Sequence, residues 1–393
     1  MSITLPPLPD AIPSALLDTV VPPSEDQRPY PQGKRFPLGL YSIDTQQQMQ
    51  AERHSGWLIA HTYNNQEAHQ AAVRHAGGWY GLAHLDARSE TQTSTAIARL
   101  AARGPVAWWD FPEEMRYWEP AELETVKRLA AWTRAHDPQR RPNFMYIPSN
   151  YTAEDIVEYV PHLDVIGAGA YADFYSQPRA WVRWRVESEI EAIKAAGAKV
   201  GPDYLHGEKT PIGIVGCFHY ADENPTSPIT TAAAARHDFY SCLAAGARGI
   251  LVFSYFHRAD APELQAAYDA YAKAAAELAD PKGIGQALLF GQALPLAFSI
   301  ASGPPRTPKF QPAEDASVQI DYPSLNVTAR TLAGGTVVLA VNSSEQPITA
   351  TIIGLPSTAT SARLPFEARA VPVADGAIVD TFAALGVHVY VVP

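Results

Sequence analysis

From Phe36 onward the chain repeats one pattern eight times: a short, continuously apolar run that stops on polar or aromatic residues, then a stretch of helical character. The first four runs are "FPLGLYSID" from 36, "GWLIAHTYN" from 56, "WYGLAHLDA" from 79 and "PVAWWDFPEE" from 105. The next four are "PNFMYIPSN" from 142, "LDVIGAGAYADF" from 163, "AKVGPDYLHGE" from 198 and "ARGILVFSYFHR" from 247. Strands that are apolar without alternation are buried on both faces, and parallel strands need helical crossovers. Eight such units between residues 36 and 283 predict an α/β protein built on a closed (β/α)8 TIM barrel. An open dinucleotide-binding sheet would carry a Gly-rich turn after its first strand, and "LYSIDTQQQMQ" has no glycine.

Helix boundaries are legible in places. Pro120 opens "PAELETVKRLAAWTRAH", Thr152 caps "TAED", and "SQPRAWVRWRVESEIEAIKAAG" stops at Gly197. Beyond Gly283 the period changes to two, in "ALPLAFSIA", "VQIDYPS", "NVTARTLAGGTVVLAVNSSEQPITATIIGLP", "ARLPFEARAVPV" and "VDTFAALGVHVYVVP", punctuated by turn signals. Residues 284–393 are therefore expected to form a small antiparallel β-sandwich, after a barrel over 36–283. Residues 1–35, rich in proline and without period, are expected to be an extended arm lying against the barrel.

With 30 basic and 41 acidic residues the chain has a net charge of −11, which argues against nucleic acid or an anionic membrane surface as partner. No apolar run reaches the roughly 20 residues of a membrane span, and the first residues lack the pattern of a signal peptide. The expectation is a cytoplasmic protein, or a periplasmic or secreted one whose leader is absent from this sequence. Two cysteines, Cys217 and Cys242, are too few for a disulfide framework and too far apart for a C-x-x-C motif, and one disulfide between them stays open. Oligomeric state is not encoded in any pattern here.

In such barrels the chemistry sits at the carboxyl ends of the strands. The first three runs stop on Tyr41 and Asp44, on His61, Tyr63 and Asn64, and on His84 and Asp86. The fourth stops on Trp108, Trp109, Asp110, Glu113 and Glu114; the fifth on Tyr146, Ser149, Asn150 and Tyr151. The last three supply Tyr171 and Asp173; Asp203, His206 and Glu208; and Tyr255, His257 and Arg258. Aromatic faces for C–H stacking, together with carboxylates, Asn and His for hydroxyls, make a carbohydrate substrate the natural ligand. Strand ends carry polar residues in any barrel, so no single residue of this set is diagnostic. No phosphate cradle, H-x-H or H-E-x-x-H motif occurs, so neither metal nor cofactor is expected. A metal-dependent hydrolase using His61, His84, His206 and His257 is the minor alternative.

The fourth and seventh runs offer acids, and glycosidic hydrolysis needs two carboxyl groups flanking the bond, one protonated and one ionised. Here the chain resembles the (β/α)8 glycoside hydrolases that place an acid/base after strand four, a second acid after strand seven and a β-sandwich at the C-terminus. The strand-four motif departs from the Asn-Glu-Pro or Asp-Glu-Pro common in that group, since "DFPEE" puts Phe111 at the acid's place. The resemblance implies Glu113 as acid, ahead of Asp110 and Glu114, and Asp203 as nucleophile or base, ahead of Glu208. Trp108, Trp109, Trp118, Tyr171 and Tyr255 are candidate stacking platforms, with Asp44, His61, Asn150 and His257 as hydroxyl partners. Two alternatives stand beside it: a barrel that binds carbohydrate without turnover, and a substrate-assisted hydrolase of N-acetylated sugars using Asp110 and Glu113. The segment "HGEKTPIGIVGCFHYADENPTSP" is read as a long loop after strand seven that walls the active site or acts as a lid, or else as a packed excursion touching the sandwich domain.

Overall fold

The computed structural model describes residues 27–86, 89–221, 223–280, 283–313, 317–332 and 335–393. Eight parallel strands close into a barrel in chain order: β1 Leu38–Leu40, β2 Ile59–Ala60, β3 Tyr80–His84, β4 Val106–Asp110, β5 Asn143–Ile147, β6 Val165–Ala170, β7 Thr210–Gly216 and β8 Ile250–Phe253. Closure is made by β1 against β8, with Leu38 opposite Ile250 and Leu40 opposite Val252. β4, β5 and β6 are buried at every residue, as crossover-covered parallel strands must be. The interior is packed by Trp108, Phe144, Val165, Ile212, Ile214 and Leu251 among others. Gly167 makes room for two of these, since a Cβ there would lie 2.7 Å from both Phe144 and Ile214.

The crossovers are α1 Gln46–Ala51, α2 Gln66–Ala76, α3 Glu90–Arg103, α4 Pro120–His136, α5 Ala153–Ile156, α6 Ala180–Ala195 and α7 Ala232–Ala245, and α8 Pro262–Leu278 follows the last strand. Their starts follow local chemistry: Thr45 and Gln48 close a capping box, Asn65, Ser89 and Thr231 each accept a first-turn N–H, and Pro120 and Pro262 stand at N1. Thr152 caps a helix, but one of only four residues.

One strand is misplaced by the sequence pattern. The seventh is Thr210–Gly216, not the run from 198, which forms a loop with a short 3-10 turn at Tyr204–His206. "GPDYLHGE" cannot make a buried parallel strand because its polar residues fall on both faces, whereas "PIGIVG" is continuously apolar. The supposed loop after strand seven thus contains that strand.

A short helix, α9 Ile284–Phe290, leads into β9 Gln292–Ala293, β10 Ala297–Ser302, β11 Leu325–Leu332, β12 Gly335–Asn342, β13 Ile348–Ile353, β14 Ser361–Leu364, β15 Arg369–Pro372, β16 Ala377–Phe382 and β17 Val387–Val392. They form antiparallel sheets of order β10-β13-β16 and β15-β14-β17-β12-β11-β9. "VQIDYPS" is no strand; it makes isolated bridges, Ile320 with Phe310 and Pro323 with Arg306. β12 is buried on both faces: Val338 and Ala340 enter the core between the sheets, while Val337, Leu339 and Val341 join the barrel's helical core. His237 of α7 meets the Ser343 hydroxyl at 3.0 Å across this junction.

Most of the proline-rich arm expected over 1–35 lies outside the described residues. Its end turns back on itself through Pro29 and Arg35, and buries Tyr30 against Phe290. Cys217 and Cys242 are free, buried thiols, so the disulfide left open by the sequence does not form. No helix among the described residues is long and apolar enough to cross a membrane.

Candidate active site

At the carboxyl end of β4 the chain delivers two acids with opposite electrostatic fates. Parallel pairing sets His84 of β3 opposite Asp110, and the residue after β2 is His61. Asp110 is fully buried, with His84 Nδ1 at 3.3 Å and His61 Nε2 at 3.6 Å from Oδ2. Burial alone would raise the Asp110 pKa, but the two imidazoles outweigh it and hold the carboxyl below its ordinary value. His84 is raised in return, the Asp110 contact overcoming its own desolvation.

Glu113 lies three residues on, where the chain turns. Burial is the main cause that pushes its pKa up to about 7, and the Asp110 charge adds to it; His61 and the Tyr63 hydroxyl, which donates to Oε2 at 3.0 Å, pull the other way. A carboxyl protonated near neutrality beside one that stays ionised is the division of labour that acid catalysis requires. The turn is held from both sides: Phe111 is buried with its N–H on Phe144 O, and the Tyr151 and Tyr159 hydroxyls donate to Met115 O. Within it Glu114 adopts φ 57°, a left-handed conformation uncommon for a non-glycine residue.

Glu113 and Glu114 open into a cavity of about 410 Å³ at the barrel mouth, within the ~300–1,000 Å³ of small-molecule sites. Its floor and inner wall are Tyr41, Tyr63, Tyr146, Tyr171 and Phe253. Phe174, Tyr175, Phe218 and Tyr220 continue the wall, with Phe218 packed on both Tyr171 and Phe253, and Glu223 adds a third carboxylate. The rings pack on one another, Tyr146 with Tyr171 at 6.1 Å and Phe218 with Tyr171 at 5.0 Å, so the wall is preorganised. Glu223 belongs to the loop after β7, whose turn is fixed by the N–H groups of Glu223 and Asn224 on Tyr220 O and by Asn224 Nδ2 on Phe174 O.

Of the strand-end residues read from sequence, Tyr41, Tyr63, Glu113, Glu114, Tyr146 and Tyr171 line this cavity, and Asp110 and His61 lie beneath it. Asp203 and Glu208 do not reach it. They precede β7, at the amino end of the barrel, where Asp203 is 55% exposed and bound to His206, and Glu208 accepts the Asp203 N–H. Trp108 fills the barrel interior; Trp109 points outward to the helices, its Nε1 donating to Asp137 at 2.8 Å. Trp118 lies on the rim, 56% exposed, against Tyr117 and Tyr151. Tyr255 is buried under Arg258. Asn150 borders a neighbouring groove with Gln177 and Trp181. Asp44 accepts from Thr62 and Asn64, which fixes the loop after β2, and His257 bonds Asp260 and the Tyr220 hydroxyl, which orients a cavity ring.

The residues sequence reasoning missed are chiefly Phe218, Tyr220 and Glu223, lost with the misplaced seventh strand, and Phe253. Their signal was present in the apolar run "PIGIVGCF" and the aromatic end of "ILVFSYF". No group of three or more His, Cys, Asp or Glu able to hold a metal occurs among the described residues.

No family model matches the chain, and no curated protein does. Solved structures share its fold. A GH27 β-L-arabinopyranosidase from Geobacillus stearothermophilus, in complex with arabinose, superposes with a TM-score of 0.55 at 11% identity, covering 92% of this chain and 98% of that one. An Anoxybacillus α-amylase gives 0.54 at 9% identity over 93% and 99%. The α-amylase of Geobacillus thermoleovorans, complexed with acarbose, gives 0.52 at 8% identity over 92% and 97%. The chain thus has the barrel-and-sheet architecture of these glycoside hydrolases.

Proposed function

We propose that this protein is a glycoside hydrolase in which Glu113 is the proton donor. The observation that carries the reading is the pair of carboxyls at the end of β4: a buried, histidine-held Asp110 beside a Glu113 raised to about 7, opening on an aromatic-walled cavity. Aromatic faces receive the sugar rings. Glu113 gives its proton to the glycosidic oxygen, the bond from that oxygen to the anomeric carbon breaks, and its electron pair leaves with the departing hydroxyl. Glu223, on the loop after the true seventh strand, takes a proton from the water that attacks the anomeric carbon. Asp110 touches neither group of the substrate; its charge adds to the burial that keeps Glu113 protonated, and it is a positioning residue. The substrate-assisted alternative needs Asp110 against an acetamide, and Asp110 does not line the cavity.

The test is reducing-sugar release from a panel of polysaccharides and aryl glycosides. Glu113→Gln is expected to lower kcat by about 10²- to 10⁴-fold, least for aryl leaving groups that need no proton. Glu223→Gln is expected to lower kcat by a similar factor for every leaving group. Full activity in both variants removes these roles, and a wild type that binds a glycan without cleaving it makes the barrel a binding module.

A further inference from the structure

We infer that the substrate is an oligosaccharide whose chain runs from the barrel-mouth cavity into a second, uncharged sugar subsite built partly by the C-terminal sheet domain. The inference rests on the glycosidase reading and narrows its substrate class. The subsite is a groove of about 300 Å³ beside the cavity, and Tyr175 lines both. Its ring packs on Phe174 of the cavity wall at 5.0 Å and on Trp181 of the groove at 5.7 Å, so one aromatic strip passes from the first space to the second. Backbone bonds hold the strip in place, with the Tyr175 N–H on Tyr171 O and the Gln177 N–H on Ala172 O.

The chemistry of the groove selects a neutral sugar. No charged residue lines it, and the side-chain amides of Asn150 and the half-buried Gln177, which do, make no hydrogen bond to any described residue. An amide offers a donor and an acceptor to a hydroxyl, while an aromatic face takes the C–H side of a ring. An apolar ligand would leave the amides unpaired, and a charged one would find no counter-charge. A second, independent observation is the connection 303–324 between β10 and β11. It exceeds the ~12–15 residues beyond which loops without secondary structure are uncommon and usually functional, and its described residues form only isolated bridges. This connection leaves the sheet domain and docks on α6 of the barrel: Trp181 Nε1 donates to Pro312 O at 2.9 Å, the Arg183 guanidinium lies over the Tyr322 ring at 4.5 Å, and Phe310 is buried. These contacts hold Gln311, Pro312 and Ala313 in the wall of the groove.

Binding is measured by calorimetry in the Glu113→Gln background, which prevents turnover. The probes are malto-, cello- and xylo-oligosaccharides from dimer to hexamer, with the methyl glycosides of their monomers. In the series that binds, affinity is expected to rise with chain length. Adding Gln177→Ala or Asn150→Ala, both surface substitutions that leave the core intact, is expected to weaken the longer oligomers by about 2- to 10-fold more than the methyl glycoside, as loss of one neutral hydrogen bond would give. Affinity independent of length, or an equal response of long and short ligands to both amide variants, overturns the inference and leaves the glycosidase reading standing. Length-dependent, amide-sensitive binding to a wild type that cleaves none of these glycans supports the inference and removes the glycosidase reading. No binding of any probe overturns both.

Discussion

Asp110→Asn and Tyr63→Phe should move the basic limb of the pH–activity profile in opposite directions. In the wild type that limb reports loss of the Glu113 proton and is expected near pH 7. Holding the proton to about 7 instead of 4.5 corresponds to roughly 3 kcal/mol of preference for the neutral form. Burial supplies the largest share, so neither variant abolishes the effect. One unit charge across a few ångströms of partly solvated protein contributes about 1–2 kcal/mol, or ~1 pH unit. Removing the Asp110 charge therefore lowers the limb. His84 holds a proton less tightly once Asp110 is gone, which returns part of the shift, and the net expectation is a limb lower by ~0.5–1 pH unit. Removing the Tyr63 hydroxyl takes a donor from the Glu113 carboxylate and should raise the limb by a similar ~0.5–1. The assay is kcat/KM against pH for all three proteins on one substrate. Shifts of the same sign, or a limb that stays in place in both, would refute the view that Glu113 is the group being read and that Asp110 acts on it through charge.

Asp203→Asn and Glu208→Gln, on the loop before β7, should leave kcat/KM within about twofold of wild type and Tm within a few degrees, because exposed pairs such as Asp203 with His206 contribute at most ~1 kcal/mol; a large loss of activity in either would return the second acid to that loop. Glu113→Gln should stabilise the fold in a pH-dependent way. The folded Glu113 keeps its proton between pH 4.5 and about 7 while the unfolded chain loses it, so wild-type stability falls through that window as pH rises and is flat above it. Denaturant titration is expected to find the variant more stable by up to ~2 kcal/mol above pH 7 and indistinguishable below pH 4, and an advantage that grows toward low pH would contradict the raised pKa.

Much of this was legible in the chain because buried parallel strands write themselves as uninterrupted apolar runs. "VAWWD", "NFMYI" and "VIGAGA" are buried at every residue, and each was readable without ambiguity. The failure at β7 has the same root. Its run carries Pro211 and Gly213, residues that weaken a strand reading, while the preceding "AKVGPDYLHGE" carries the polar end that a catalytic strand is expected to have. Gly213 is there for a reason that only three dimensions supply: a Cβ would sit 2.6 Å from the Cys242 sulfur of α7. Which way a side chain faces was equally invisible. Adjacent residues on a strand point to opposite faces, so of Trp108 and Trp109 one had to enter the barrel and the other the helical layer, and neither could reach the mouth while Tyr41, Tyr146 and Tyr171 occupied it.

The acidic cluster after β4 was legible as residues but not as chemistry. Spacing alone makes Asp110, Glu113 and Glu114 three equivalent carboxyls that repel. Their neighbours separate them: the last strand residue keeps its side chain inside the barrel, where β2 and β3 supply His61 and His84; the turn places Glu113 on Tyr63; and the left-handed residue turns Glu114 outward. Each carboxyl thereby acquires a different tolerance for charge, one ionised under two imidazoles, one neutral until about pH 7, one facing the ligand space. The repulsion that makes the motif look costly in sequence adds to the burial that keeps a proton on Glu113, so replacing Asp110 would give a quieter site with a weaker hold on that proton.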